Sequence, residues 1–236
     1  EVEFHKNQFV IGKYGTQSFL AKATTDNMVK KLLNDKISFM GVEPRNCEQH
    51  FAIDALMDKS LPMVTLTGLA GSGKTFLTLM AGLASLKSGG RERGIVEQLP
   101  DELLTGYDRL VITRTLQPVG RDLGYLPGSL EDKMAPWMMP IVDNVRHAFK
   151  DLTYFQTMVE KGDIEIAPIP YIRGRTFNNS FVIVDEAQNA SIHELKTIIT
   201  RIGKNSKIVL LGDTDQIDTP YINKKSNGLS IIAQKF

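Results

Sequence analysis

Eight consecutive residues constrain this chain more than any others: Gly68-Leu69-Ala70-Gly71-Ser72-Gly73-Lys74-Thr75. They meet the spacing Gly-x4-Gly-Lys-Thr. The glycines let backbone N–H groups turn inward around phosphate oxygens. Lys74 is then expected to reach the β and γ phosphates of a nucleotide, and the Thr75 hydroxyl to bind Mg²⁺. Alone, the motif could be a Gly-rich turn, so its flanks matter. Met63–Thr67 before it is a buried-type strand. After it, Phe76, Leu77, Leu79, Met80, Leu83 and Leu86 recur at helical spacing. Such a helix points its positive end at the anion. The expected fold is α/β with a nucleotide cradle, Gly68 to Thr75 and the adjoining Phe76 being the contacts.

The rest of the chain fits that frame. Continuous apolar runs at Leu110–Thr113, Phe181–Val184 and Ile208–Leu211 suit a mainly parallel sheet covered by helices on both faces. Ile164–Ile166 reads as a short strand. Asn46 opens a helix, and residues 140–161 read as mostly helical. Ser88–Thr105 reads as a surface loop and Leu123–Pro140 as an irregular functional loop. Residues 1–40 form a smaller extension: a hairpin around Lys13–Thr16, then a short helix at Asp26–Leu33. The main domain is expected over 41–236. A net charge of +1 demands that any nucleic-acid surface be a local basic patch. Cys47 is the only cysteine, which excludes an intrachain disulfide and a cysteine zinc site and suits a reducing, cytoplasmic setting. Glu1–His5 do not read as a signal peptide. No apolar run approaches the roughly 18 residues that a membrane span requires.

Asp185-Glu186-Ala187-Gln188 follows an apolar strand. Asp185 there is the expected Mg²⁺-side acid of a phosphate-loop NTPase. Glu186 can orient and deprotonate an attacking water. Two adjacent acids at a buried strand end are costly without a cation, which argues for metal. The plainer alternative is an acidic pair complementing a helix dipole. Gly212-Asp213-Thr214-Asp215-Gln216 ends the next strand. Ligands of open α/β sheets lie at such ends, so Gln216 is a candidate γ-phosphate sensor, against the alternative of a simple turn. Gln49 has two readings that the residues leave open. Its amide can bond an adenine edge, or it can close a capping box with Asn46.

These motifs occur in order with Pro44-Arg45-Asn46-x2-Gln49, Thr113-Arg114-Thr115-x-Gln117-Pro118-Val119-Gly120, Leu123-Gly124-Tyr125-Leu126-Pro127-Gly128 and Tyr171-Ile172-Arg173-Gly174-Arg175-Thr176. The combination resembles the PhoH-like ATPase family, relatives of superfamily-one helicases. The Ser226–Ser230 stretch resembles the branch in which this domain follows a PIN-type ribonuclease domain. The resemblance implies a RecA-like core, adenine reading by Gln49, and roles in hydrolysis for Asp185, Glu186 and Gln216. It implies a homo-oligomeric ring, a hexamer, acting on RNA or another single-stranded nucleic acid. One phosphate loop and one lobe also point to a neighbouring subunit as the source of an arginine finger, which contributes about 10³–10⁵ in rate. Arg173, Arg175 and Arg201 are the candidates, with Arg114 and Arg121 behind them. Arg121, Tyr125, Lys133 and Trp137 are candidate strand contacts, although Trp137 is better read as packing. The expected activity is an ATP-driven RNA motor. The alternative is an ATP-gated binding module with slow hydrolysis; a small-molecule kinase is disfavoured.

Overall fold

The computed structural model describes residues 3–24, 28–32, 38–39, 43–87, 96–97, 106–115, 139–147, 152–172, 174–217 and 227–235. Ten strands and seven α-helices occur among them. The N-terminal part holds β1 (Phe9–Tyr14), β2 (Gln17–Ala23) and β3 (Val29–Lys31) in one antiparallel sheet. β4 (Ser38–Phe39) pairs with β6 (Val96–Glu97). The main sheet consists of β5 (Met63–Thr67), β7 (Arg109–Arg114), β8 (Ile164–Ile166), β9 (Ser180–Asp185) and β10 (Lys207–Gly212). The helices are α1 (Cys47–Met57), α2 (Lys74–Ala84), α3 (139–147), α4 (Thr153–Glu160), α5 (Ile169–Ile172), α6 (Ile192–Ile199) and α7 (Gly228–Lys235).

The main sheet is parallel, in the order β5-β10-β9-β7-β8. Its apolar runs do not alternate with polar residues because both faces are covered. Phe181, Ile183, Leu110, Ile112, Val209 and Leu211 join one core with α1 to α4. Val182, Val184, Val111, Ile208 and Leu210 join a second core with α5, α6 and α7. This is the α/β, RecA-like phosphate-loop fold, with β10 inserted between the strand that feeds the loop and the strand that ends in Asp185.

One cation lies deep in this frame. Lys207, at the start of β10, is fully buried. Its Nζ donates to the carbonyls of Ala55, Leu56 and Asp58 at 2.8, 2.8 and 2.7 Å. These belong to the last turn of α1 and its cap, where carbonyls lack helical partners. A positive charge there is also favoured by the helix dipole.

The hairpin forms as expected, turning at Gly15 with φ 57°. The short helix expected at Asp26–Leu33 does not. Val29–Lys31 is a strand on the edge of β2, closed by Thr24 N–H to the Met28 carbonyl at 2.8 Å and Leu32 N–H to the Leu20 carbonyl at 3.0 Å. A helix of two turns is marginal in water, whereas the open edge of β2 supplies ready backbone partners. The helical stretch expected over 140–161 is two helices, α3 and α4. Most of the loop expected at Ser88–Thr105 lies outside the described residues, apart from the paired segment Val96–Glu97. The Leu123–Pro140 segment also lies outside them up to residue 138; residues 139 and 140 begin α3.

Candidate active site at the strand ends

Four parallel strands end at one edge and deliver one cluster of polar residues there, as the topology of an open α/β sheet dictates. β5 runs into the glycine loop, β10 into Asp213–Gln216, β9 into Asp185-Glu186, and β7 into Arg114. The register sets their level: Thr67 lies opposite Gly212, and Arg114 opposite Asp185. A cleft of about 430 Å³ opens there, lined by Gln49, Ala70, Gly71, Gly73, Lys74, Thr75, Phe76, Asp185, Glu186 and Gln216 among others.

The loop depends on positive φ at Gly71 (75°) and Gly73 (90°), a conformation costly for other residues. Gly73 is the N-cap of α2, so the helix begins at the loop with its N–H groups facing the cleft. The Lys74 ammonium is held by the Gly68 and Leu69 carbonyls at 2.7 and 2.8 Å. Asp213, buried, fixes the loop from the neighbouring strand: its Oδ2 accepts from Ala70 N at 3.0 Å and its Oδ1 from Asp215 N at 2.9 Å.

The acids are divided by environment. Thr75 Oγ1 donates to Asp185 Oδ1 at 3.2 Å, tying α2 to the end of β9. Burial pushes the Asp185 carboxyl above its usual range; Glu186 next door pushes the same way, while the Arg114 guanidinium and the Thr75 hydroxyl oppose it. A carboxylate penalised in this way is one that a cation relieves. A buried Asp and a Thr hydroxyl beside a phosphate cradle fit the Mg²⁺ pattern of one or two carboxylates completed by substrate phosphates. Glu186 sits at φ 54° and ψ 37°, a left-handed conformation that ends β9 and turns its side chain toward the cleft. Both of its carboxylate oxygens have donors: Arg114 Nη2 at 3.3 Å and Gln188 Nε2 at 2.6 Å.

Residues 41–236 match the family described as PhoH-like protein. The chain belongs to this family. Among PhoH-like relatives, "Protein PhoH2" of Bacillus subtilis (strain 168) is 40% identical over 99% of this chain and 51% of that protein. The Mycolicibacterium smegmatis "Protein PhoH2" is 33% identical over 94% of this chain and 47% of its own length. A "PhoH-like protein" of Synechocystis is 38% identical over 70% of this chain and 44% of that relative. The chain spans about half the length of the curated relatives it matches.

Within this PhoH-like domain the expected site residues divide into three groups. Gln49, the glycine loop, Phe76, Asp185, Glu186 and Gln216 converge on the cleft. Arg175 lies elsewhere, with both guanidinium nitrogens on Glu165 of β8 (Nη1 to Oε1; Nη2 to Oε2 at 2.7 Å) and its plane over Phe177. Arg201 is not among the cleft residues either, and its Nε is buried without a hydrogen-bond partner among the described residues. Arg173, Arg121, Tyr125, Lys133 and Trp137 lie outside the described residues. Gln49 combines elements of both sequence readings. Asn46 Oδ1 accepts from Gln49 N at 2.9 Å, the N-cap half of a capping box, but Gln49 Oε1 accepts from Arg45 N at 2.7 Å instead of closing on Asn46 N. Its Nε2 donates to the Ser72 carbonyl at 3.0 Å. Gln49 thus braces the glycine loop from α1 while lining the cleft.

Sequence reasoning missed four contributors. Gln188 is fully buried; its Nε2 reaches Glu186 and the Gln216 carbonyl at 3.0 Å, and its Oε1 accepts from Asp213 N at 3.2 Å. It packs so closely under Gly212 that a Cβ there would collide with Gln188 Oε1 and Leu229. Asp213 holds the loop, a role beyond the turn that its sequence pattern suggests. Asn144 and His147 of α3 line the cleft, and the His147 ring meets Phe76 edge-on at 5.7 Å. Adjacency in the sequence signalled the first two; nothing in the sequence placed Asn144 and His147 at the cleft. Among the described residues, no helix is long and apolar enough to cross a membrane.

Proposed function

We propose that this chain binds ATP with Mg²⁺ and hydrolyses it, using turnover to unwind or remodel RNA or another single-stranded nucleic acid as a homo-oligomeric ring, a hexamer. The observation that carries the enzymatic part is the Thr75–Asp185 contact with Glu186 beside it, all facing the glycine loop. Gln49 and Phe76 flank the base side of the cleft. The loop N–H groups, the α2 N-terminus and Lys74 hold the β and γ phosphates, Lys74 exchanging its loop carbonyls for phosphate oxygens. Thr75 and Asp185 would hold the metal ion, which would neutralise charge on the phosphates. Glu186 accepts the proton of the attacking water, and Gln216, on the adjacent strand end, orients that water. The ring, the RNA substrate and a guanidinium supplied by a neighbouring copy rest on the family's resemblance to helicases and on the single lobe. The relatives' extra length includes room for a PIN domain.

Glu186→Gln tests the chemistry. ATP binding should persist and turnover should fall about a hundredfold or more. Turnover within a few-fold of the wild type would remove Glu186 from the mechanism. A second reading, an ATP-gated binding module with slow hydrolysis, draws support from the two donors that hold Glu186. Turnover unaffected by saturating single-stranded RNA would favour it.

A further inference from the structure

The glycine loop, Lys74, Thr75 and the strand ends at Asp185-Glu186 and Gln216 take up the phosphate end of the cleft. The adenosine part of a nucleotide is left with the remaining lining, to which α1 contributes Gln49, α2 Phe76 and α3 Asn144 and His147. Two of these residues carry a side-chain amide, and the two amides are held differently.

The Gln49 amide is occupied at both ends: Oε1 accepts from Arg45 N at 2.7 Å and Nε2 donates to the Ser72 carbonyl at 3.0 Å. The Asn144 amide is occupied at one end. Its Nδ2 donates to the Pro140 carbonyl, one turn back on α3, at 2.7 Å. A carbonyl oxygen only accepts, so this bond decides which end of the amide faces Pro140. Oδ1 is the end left over. It has no donor among the described residues and it is not buried. The bond to Pro140 also holds the side-chain rotamer, so little conformational freedom is lost when Oδ1 takes a partner. His147 shares the Asn144 face of α3, three residues on. Its ring meets Phe76 edge-on at 5.7 Å, which ties that face to the first turn of α2, directly after the glycine loop.

A fixed acceptor distinguishes the two purines. Adenine carries an amino group, a donor, where guanine carries a carbonyl oxygen, an acceptor. Against Oδ1 the first forms a hydrogen bond, and the second sets two acceptors face to face. We propose that Asn144 is a specificity-determining residue of the nucleotide site, its Oδ1 accepting from the 6-amino group of the base and so selecting ATP over GTP. Gln49 then serves the site by bracing the glycine loop. The inference rests on the ATP binding proposed above and adds to it the residue that reads the base.

The experiment compares ATP with purine riboside triphosphate, which lacks only the 6-amino group. Both compete against a labelled, non-hydrolysable ATP analogue in the presence of Mg²⁺. The wild type should bind ATP about five- to tenfold more tightly, the worth of one neutral hydrogen bond. In Asn144→Leu that ratio should fall to about one, and GTP should gain on ATP. Each ratio compares two ligands on one protein, so a general loss of affinity from a disturbed α3 cancels. Should Asn144→Leu fold poorly, Asn144→Ala gives the same comparison. Gln49→Ala should weaken both ligands alike and keep the ratio. If the wild-type ratio persists in the Asn144 variants, the assignment is overturned; its collapse in Gln49→Ala instead would give the base to Gln49. A wild-type ratio near one also overturns it, because no residue then reads the amino group. If the wild type binds neither triphosphate, the ATP reading fails and this one fails with it.

Discussion

Gln188 is the residue whose substitution should separate catalysis from nucleotide binding. Its side chain is fully buried and joins two strand ends, through Glu186 after β9 and through Asp213 and Gln216 after β10. In Gln188→Met the volume is kept and every hydrogen bond is lost. The bond to the Glu186 carboxylate, at 2.6 Å, is charge-assisted and worth about 1.5–3 kcal/mol; the bonds to Gln216 O and Asp213 N are neutral and worth about 0.5–1.5 kcal/mol each. The charged bond bears on the reacting group. If its loss is felt in the transition state, turnover falls roughly ten- to hundredfold. The neutral bonds bear on stability, and about 2 kcal/mol lowers Tm by about 4–8 °C for a domain of this size. The phosphate cradle itself is untouched, so ATP affinity should hold within a few-fold. Single-turnover hydrolysis, ATP titration and a melting curve measure the three effects separately. Turnover preserved within twofold in a folded variant would refute the claim that Gln188 positions Glu186. A parallel loss of ATP affinity would show instead that the whole strand edge had collapsed.

Three further outcomes follow from the geometry. Burial raises the Asp185 carboxyl above its usual range, so the folded state holds this proton more tightly than the unfolded chain, and ionising it at neutral pH costs stability. Asp185→Asn should therefore raise Tm without nucleotide while abolishing Mg²⁺-dependent turnover; a lower Tm would contradict the burial argument. Burial pushes the Lys207 ammonium down to about 7 from an ordinary value of 10.5. Between those values the unfolded chain binds more protons, so wild-type stability should rise with pH through that window. In Lys207→Met that rise should be missing from Tm values measured from pH 7 to 10, and the melt at pH 7 should report the loss of the α1 cap. Arg175 and Glu165 are each more than a quarter exposed, so Arg175→Lys should cost no more than about 1 kcal/mol and leave turnover of the assembled protein intact. Loss of turnover at unchanged Tm would instead return Arg175 to the role of a finger for a neighbouring subunit.

The legible parts of this protein are those where function or burial forces a local pattern. Gly68–Thr75 could be read directly because Gly71 and Gly73 take φ values that are costly for other residues, and Lys74-Thr75 follow them at the spacing of a phosphate loop. The strands at Phe181–Val184 and Ile208–Leu211 were legible because burial on both faces leaves no position for a polar residue. The sequence over Asp26–Leu33 reads as a short helix, but a stretch of two turns carries little period, and the conformation of Val29–Lys31 within it comes from the open edge of β2. Gln188 was visible as the last letter of an acidic box, yet its work is done across β9 and β10, at distances that exist only once those strands are paired.

The sequence alone determined the cradle, the acidic pair and the α/β class, because each is written within a dozen neighbouring residues and answers to backbone sterics, metal chemistry or hydrophobic burial. Tertiary structure alone decided the partners. It set Asp213 against the glycine loop, Arg114 level with Asp185, Gln49 on the Ser72 carbonyl and Arg175 on Glu165. Those contacts depend on strand order and register, which long-range packing selects and no local motif encodes. The loop between β5 and α2 began as an anion cradle; folded, it is a surface held from behind by Asp213, from the side by Gln49, and faced by a carboxylate that two other residues hold in place.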